Sequence, residues 1–206
     1  MIDEPDLVFE TIPDNPCALL GQWLEYAASE SAQPNPNILY LATADTHGRP
    51  SVRPVLHKYY DSATGRLTFF TNYHSRKARD MEANPNISIA MHWDKLERVV
   101  RIEGTVEKAT AEVSDRYFAT RGRESQLGAW ASEQSADLPD WEALIERVLD
   151  ASARFSGGPV PRPPHWGGYV LTPQSIEFWA GRKSRIHERV IYTREDGRWV
   201  SRRVYP

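Results

Sequence analysis

Arg185-Ile186-His187-Glu188-Arg189 sets two guanidiniums and an imidazole at alternate positions, a short loop after the apolar run Ile176-Glu177-Phe178-Trp179. Alternate residues of an extended chain point the same way, so Arg185, His187 and Arg189 are expected to share a face, with Trp179 close by. Arg grips anions, His donates or stacks near neutral pH, and Trp covers a flat ring. The set suits a planar, phosphorylated heterocycle. A charged strand edge beside a core Trp accounts for the same residues equally well.

Other parts of the chain bear on the choice. Thr71-Asn72-Tyr73-His74-Ser75-Arg76-Lys77 reads as a strand end, a loop and a helix start with two cations in its first turn. Cations there oppose the helix dipole, so local stability does not explain them. An anion on the free backbone N–H groups does, with Arg76 and Lys77 closing around it. Tyr117, Arg121 and Ser125 follow at spacings of four, although Gly122 is expected to break a helix between them. They make a second candidate phosphate cradle, or else an exposed helix face with a core Tyr. Arg53 and Lys58 lie five apart on one strand, so they face opposite ways unless the strand is bulged, and Pro54 hints at an edge or a bulge. Solvated strand charges are the plainer account of that pair. Gln134-Ser135, at the end of a helix, offers polar hydrogen bonds.

The elements that must position these residues follow from periodicity and turn chemistry. Asn15-Pro16 reads as an N-cap and first helical residue, with an apolar stripe of Leu19, Leu20, Trp23, Leu24 and Ala27 behind it. Strands are expected over 38–44, 51–60 and 67–72 as an antiparallel meander, then over 86–93 and 99–107. In the last of these Val100, Ile102, Gly104 and Val106 face one side, and Arg101, Glu103, Thr105 and Glu107 the other. Ser75 is expected to cap a short helix to about residue 82. Further helices are expected near 110–119, 123–133 and 140–155, and a Pro/Gly-rich crossing over 157–164. The tail, 167–204, returns to strands with a hairpin at Asp196-Gly197. The class is α+β: an antiparallel β-barrel with peripheral helices. Residues 1–14 read as an extended arm, and 15–206 as a single domain.

Composition narrows the function. The chain has 206 residues, 40% hydrophobic and 26% charged, with formal net charge -3. That balance argues against nucleic-acid or membrane-surface binding, so any anion site is a local cluster. The lone cysteine, Cys17, allows no internal disulfide. No signal peptide or membrane span is visible, and a cytoplasmic protein is the default. The six histidines show no metal-ligand spacing. Glycine-rich phosphate loops, the dinucleotide fingerprint and Gly-x-Ser-x-Gly are absent. The pattern left to explain is two phosphate cradles, as a phosphorylated cofactor and a phosphorylated substrate would require.

Several of these motifs, in order, resemble the pyridoxine/pyridoxamine 5′-phosphate oxidase family. They are Arg53-Pro54-Val55-Leu56-His57-Lys58, Phe70-Thr71, Ser75-Arg76-Lys77, Ser125-Gln126-Leu127-Gly128-Ala129-Trp130 with Gln134-Ser135, Trp166-Gly167-Gly168-Tyr169, and Glu177-Phe178-Trp179 through Arg189, over roughly residues 15–206. The resemblance implies an FMN-binding split barrel and a homodimer with FMN at the interface. It also implies a phosphorylated pyridine substrate, and O2 as electron acceptor. Carried over, Arg53, Pro54, Val55, Leu56, His57, Lys58, Phe70, Thr71, Arg76, Lys77, Gln134, Ser135, Trp179 and Arg189 would bind FMN, some from the partner subunit. Lys58, Tyr117, Arg121 and Ser125 would hold the substrate phosphate. Arg185, Ile186 and His187 would lie against the ring, Arg185 and His187 as the catalytic pair. Four features depart from the family pattern. Val99 stands where a flavin-contacting Gln is frequent, His57 replaces an apolar residue, Phe70 a Tyr, and the arm is acidic (Asp3, Glu4, Asp6, Glu10). The arm is closer to relatives in phenazine biosynthesis, which usually lose the substrate-phosphate Lys and Tyr that this chain keeps. An oxidase of that kind and a non-catalytic flavin binder are the alternatives.

Overall fold

The computed structural model describes residues 8–29 and 34–206. The acidic residues Asp3, Glu4 and Asp6 lie outside the described residues. Eight strands, β1 (Ile38–Ala44), β2 (Pro50–Asp61), β3 (Arg66–Asn72), β4 (Asn86–Trp93), β5 (Arg98–Lys108), β6 (Trp166–Ala180), β7 (Glu188–Glu195) and β8 (Arg198–Arg203), pair antiparallel in the order β3-β2-β1-β4-β5-β6-β7-β8. An additional β3–β6 pairing closes six of them into a barrel. The expected meander is β1-β2-β3. β6 is the strand that splits. Its first half, 166–171, pairs with β3, and its second, 175–180, with β7, while β5 runs along its other edge.

The barrel is filled by the alternation the sequence displays. Val100, Ile102 and Val106 of β5 are buried while Arg101 and Glu103 are exposed. The helix α1 (Pro16–Ser29) covers one end of the barrel with Leu19, Leu20, Trp23 and Ala27. Asn15 caps it, its Oδ1 accepting from the Cys17 N–H at 2.9 Å. The hairpin β7–β8 turns at Asp196 and Gly197, both at positive φ, as a tight two-residue loop requires.

Residues 8–14 depart from the extended arm expected of them. They run as turns and bends, because Phe9 is drawn into the core, stacked on Trp23 at 5.8 Å. Helices α2 (Arg76–Ala83), α3 (Ala111–Thr120), α4 (Arg123–Ala131) and α5 (Trp141–Arg154) complete the molecule. The last three enclose a second, smaller core of Phe118, Leu127, Ala151, Val160 and Trp166. α4 stops at Ala131, so Gln134 and Ser135 sit in a turn beyond the helix rather than at its end.

Gly104 shows how tightly β5 and β6 close. The register slips between Glu103 and Gly104, and a Cβ at Gly104 would lie 2.2 Å from the Thr172 carbonyl oxygen. Gly104→Ala must move backbone against backbone. It is expected to cost about 3 kcal/mol, a fall in Tm of roughly 10 °C by thermal unfolding.

Candidate active site

A cavity of about 700 Å³ opens between strands β2 and β3 and the α3–α4 segment. Lys58, Lys77 and Arg121 reach its wall, and among the described residues no carboxylate does. In a chain of net charge -3, that is a concentrated positive site.

Strand β2 delivers one cation through a bulge. Half-buried and exposed residues alternate up to His57, and the register against β3 then slips between His57 and Tyr59. His57 and Lys58 are consecutive half-buried residues, where the strand changes phase. Lys58 lines the cavity, with Nζ 5.9 Å from the Tyr117 ring centre, and Pro54, Val55 and Leu56 supply apolar wall. Arg53 and His57 do not reach it. Arg53 donates to the Leu41 carbonyl (3.1 Å) and to Thr43 Oγ1 (2.8 Å), with Asp80 at 3.8 Å. His57 keeps a buried, unpartnered Nδ1, and burial, then the Lys58 charge, push its pKa down to about 4.

The start of α2 separates the two cations expected to act together. Arg76 is exposed, whereas Lys77 is buried. Lys77 Nζ donates to Thr71 Oγ1 (2.9 Å), Ser75 Oγ (3.0 Å) and Gln134 Oε1 (2.5 Å). All three acceptors are neutral, and no carboxylate pairs with Lys77 among the described residues. Burial, then the Arg53 charge, lower its pKa to about 8. A buried ammonium without a counter-ion is costly, so the position is built for an anion. Ser75 is the N-cap by position, but its hydroxyl serves Lys77 and makes no cap bond to the helix.

The third cation rests on aromatic rings. α3 ends at Thr120 and α4 begins at Arg123, so the break expected at Gly122 is present. Tyr117, Arg121 and Ser125 nevertheless all line the cavity. The Arg121 guanidinium sits 4.8 Å from the Trp166 ring centre, and its NH1 is buried with no partner. Burial presses the Arg121 pKa down, against the opposing influence of Tyr117. Phe70 stacks on Tyr117 at 4.1 Å and, with Thr71, completes that wall. Gln134 lines the cavity, while Ser135 is exposed at φ 73 and does not.

Trp179 and Arg189 line a different cavity, of about 350 Å³, with Val99, Arg101 and Pro206. Arg189 Nε donates to Glu177 Oε1 at 2.7 Å, and Arg101 holds the other carboxylate oxygen. Burial would raise the Glu177 pKa, but these two bonds outweigh it and the pKa is lowered. His187 lies against Trp179, ring centres 4.5 Å apart. The shared face expected of Arg185, His187 and Arg189 does not form. Lys183–Arg185 is a 3-10 turn, and Ser184 and Arg185 take φ of 57 and 62, so alternation fails before β7 begins. Arg185 and Ile186 are exposed. Among the described residues the two cavities share no lining residue within one chain. No group of three or more metal-ligating side chains occurs among the described residues, and no helix among them is long and apolar enough to cross a membrane.

Trp166, Asn72 and Ser132 line the first cavity without having been singled out as ligand contacts. Trp166 stood in a quoted motif, but nothing in its spacing shows that Arg121 rests on it.

Comparison with known proteins agrees with this geometry. Residues 27–155 match the family profile described as pyridoxamine 5′-phosphate oxidase, and residues 166–206 the pyridoxine 5′-phosphate oxidase C-terminal dimerisation region. A pyridoxine/pyridoxamine 5′-phosphate oxidase from Burkholderia thailandensis is 52% identical, covering 88% of this chain and 83% of its own. One from Caulobacter vibrioides is 47% identical, covering 94% and 86%. Among solved structures, PhzG from Burkholderia lata, in complex with tetrahydrophenazine-1-carboxylic acid, superposes with a TM-score of 0.89 at 31% identity, covering 98% of both chains. The chain therefore belongs to the pyridoxine/pyridoxamine 5′-phosphate oxidase family, FMN-dependent oxidoreductases built on a split barrel.

Proposed function

We propose that this protein oxidises pyridoxamine 5′-phosphate or pyridoxine 5′-phosphate to pyridoxal 5′-phosphate, with FMN as cofactor and O2 as electron acceptor. The observation that carries the reading is a cavity with three cations and, among the described residues, no carboxylate, in which the Lys77 ammonium is buried short of a counter-charge and the NH1 of half-buried Arg121 has no partner. Two phosphates supply what is missing. The curated relatives at 47–52% identity carry this activity in their names.

The residues present fit FMN. Lys77, with Thr71 and Gln134 around it, would hold the FMN phosphate, and Arg76 and Arg53 add positive charge nearby. The 54–56 stretch and Phe70 offer apolar wall to the flavin. Bound there, FMN supplies a two-electron acceptor. Lys58, Tyr117, Arg121 and Ser125 would take the substrate phosphate, Arg121 through the NH1 that has no partner. This end of the site orients the substrate, and remote binding of that kind lowers the barrier through positioning. Arg185, Ile186 and His187 would lie against the substrate ring, the two polar groups stabilising charge as it develops. Trp179, Arg189, and Ser135 by its backbone or hydroxyl, would complete the FMN site.

Within one chain the second group does not reach the first cavity. We therefore propose a homodimer in which the 179–189 region of one subunit faces the first cavity of its partner, with FMN between them. The match to a C-terminal dimerisation region supports this. We place the protein in the cytoplasm, since its one thiol needs no oxidising compartment.

Anaerobic mixing of the FMN-loaded protein with pyridoxamine 5′-phosphate tests the reading. The flavin band is expected to bleach, and air to restore it with release of pyridoxal 5′-phosphate, ammonia and hydrogen peroxide. Bleaching by a dihydrophenazine carboxylate but not by the B6 ester would move the protein to the activity class of PhzG. Flavin that neither compound bleaches would make it a binder.

A further inference from the structure

The loop joining β6 to β7 holds an unfavourable backbone. Ser184 and Arg185 are consecutive non-glycine residues at positive φ, 57 and 62. Such a turn persists only where its surroundings over-determine it. Here the bracing comes from the residues at its two ends. The Gly181 N–H donates to the Glu97 carbonyl at 2.7 Å, and the Ile186 N–H to the Lys183 carbonyl at 3.3 Å. The Arg182 N–H donates to His187 Nδ1 at 3.0 Å, and Arg182 Nε to Glu188 Oε1 at 2.7 Å.

Glu188 ties this loop to the other end of the chain. Its Oε1 also accepts from the Val8 N–H at 2.9 Å, and its Oε2 from the Phe9 N–H at 3.0 Å. The carboxylate is buried. Phe9 is itself fixed in the core, and its carbonyl accepts from Arg203. Arg182 NH2 donates to Oε1 as well, so one buried carboxylate joins four donors from three residues, Val8, Phe9 and Arg182. A carboxylate accepts at both oxygens, whereas an amide of the same shape turns an N–H toward one of those donors.

The consequence falls on His187. An Nδ1 that accepts a backbone N–H leaves the proton of the neutral ring on Nε2 and fixes the ring's direction. We propose that Glu188 is a positioning residue: by holding Arg182 against the anchored N-terminal segment, it sets the tautomer and orientation of the His187 imidazole. The proposal rests on the reading that His187 lies against the substrate ring.

Histidine-labelled holoenzyme tests it by NMR at about pH 9, above the ordinary imidazole range, with His187 assigned through His187→Gln. The wild-type His187 ring is expected to report a single Nε2–H tautomer. Glu188→Gln is expected to give a mixture of tautomers with FMN retained, and kcat about tenfold lower with KM within about twofold. A Glu188 that only anchors the N-terminal segment would lower Tm and leave the ring signals as they are. Unchanged His187 signals in Glu188→Gln therefore overturn the proposal. A changed ring with undiminished kcat would uphold the positioning by Glu188 and remove His187 from the proposed reaction. Arg182→Lys keeps the backbone N–H and the charge but loses the planar fork. It is expected to give the same ring signature in weaker form. Should Glu188→Gln fail to fold, the ring signals of Arg182→Lys decide by the same criterion.

Discussion

Lys77→Met is expected to weaken FMN binding by about 3 kcal/mol, roughly 150-fold in Kd, while leaving the FMN-free protein at least as stable as the wild type. The two effects have opposite signs for one reason. Without an anion, the buried ammonium has three neutral acceptors and a repelling Arg53, and its charge is a burden on the fold. With a phosphate present, the same charge is the main attraction. Methionine keeps much of the volume and removes the charge in both states. The pH dependence follows from the same residue. Its pKa is lowered from 10.5 to about 8, so the folded, FMN-free protein binds fewer protons than the unfolded chain between those values. Stability therefore rises with pH across that window. FMN affinity moves the other way, weakening up to about tenfold per pH unit above pH 8 as binding has to restore the proton. Flavin fluorescence titrations of both proteins at several pH values check this. Equal Kd values, or a wild-type affinity flat from pH 8 to 10, would remove Lys77 from the phosphate site.

Arg121→Met is expected to lower kcat/KM for pyridoxamine 5′-phosphate by about 3 kcal/mol, on the order of 10²-fold, with FMN affinity unchanged. The guanidinium carbon lies 4.8 Å from the Trp166 ring centre, and its unpartnered NH1 is buried in the cavity wall. That combination is preorganised for a phosphate oxygen. Lysine cannot stack and fork in the same way, so Arg121→Lys is expected to recover less than half of the lost free energy. Pyridoxamine without its phosphate supplies the control. Wild type and Arg121→Met are expected to oxidise it at similar, low rates, since the contact at issue is gone from both. Steady-state kinetics on the two substrates make the comparison. A loss of equal size on both would mean that Arg121 shapes the site without holding the phosphate.

Much of the architecture was legible in the chain. The Val100-Ile102-Gly104-Val106 alternation marked the inward face of β5, and Asp196-Gly197 marked the last hairpin. Asn15-Pro16 marked the start of α1. These signals are local, because strand period, turn φ values and capping are set by neighbours within a few residues. The candidate site was legible as residue types and less so as roles. Arg76 and Lys77 carry the same charge at adjacent positions, yet only Lys77 turns inward, toward Thr71 and Gln134. Arg53, expected as an FMN contact, is held in a network with Thr43 and Asp80 that no local pattern displays.

By itself, the sequence determined the succession of strands and helices, the positions of the cations, and the absence of any long charge run to compete with them. Tertiary structure alone decided which cations meet in one cavity. The phase of β2 at Lys58 depends on its pairing with β3, the depth of Lys77 on a glutamine beyond α4, and the placement of Arg121 on a tryptophan at the start of β6. Long, flexible side chains take their direction from partners remote in sequence, and no local period encodes those partners. The left-handed turn at Arg185 shows the same limit in the backbone, for its bracing reaches from Glu188 back to Val8 and Phe9.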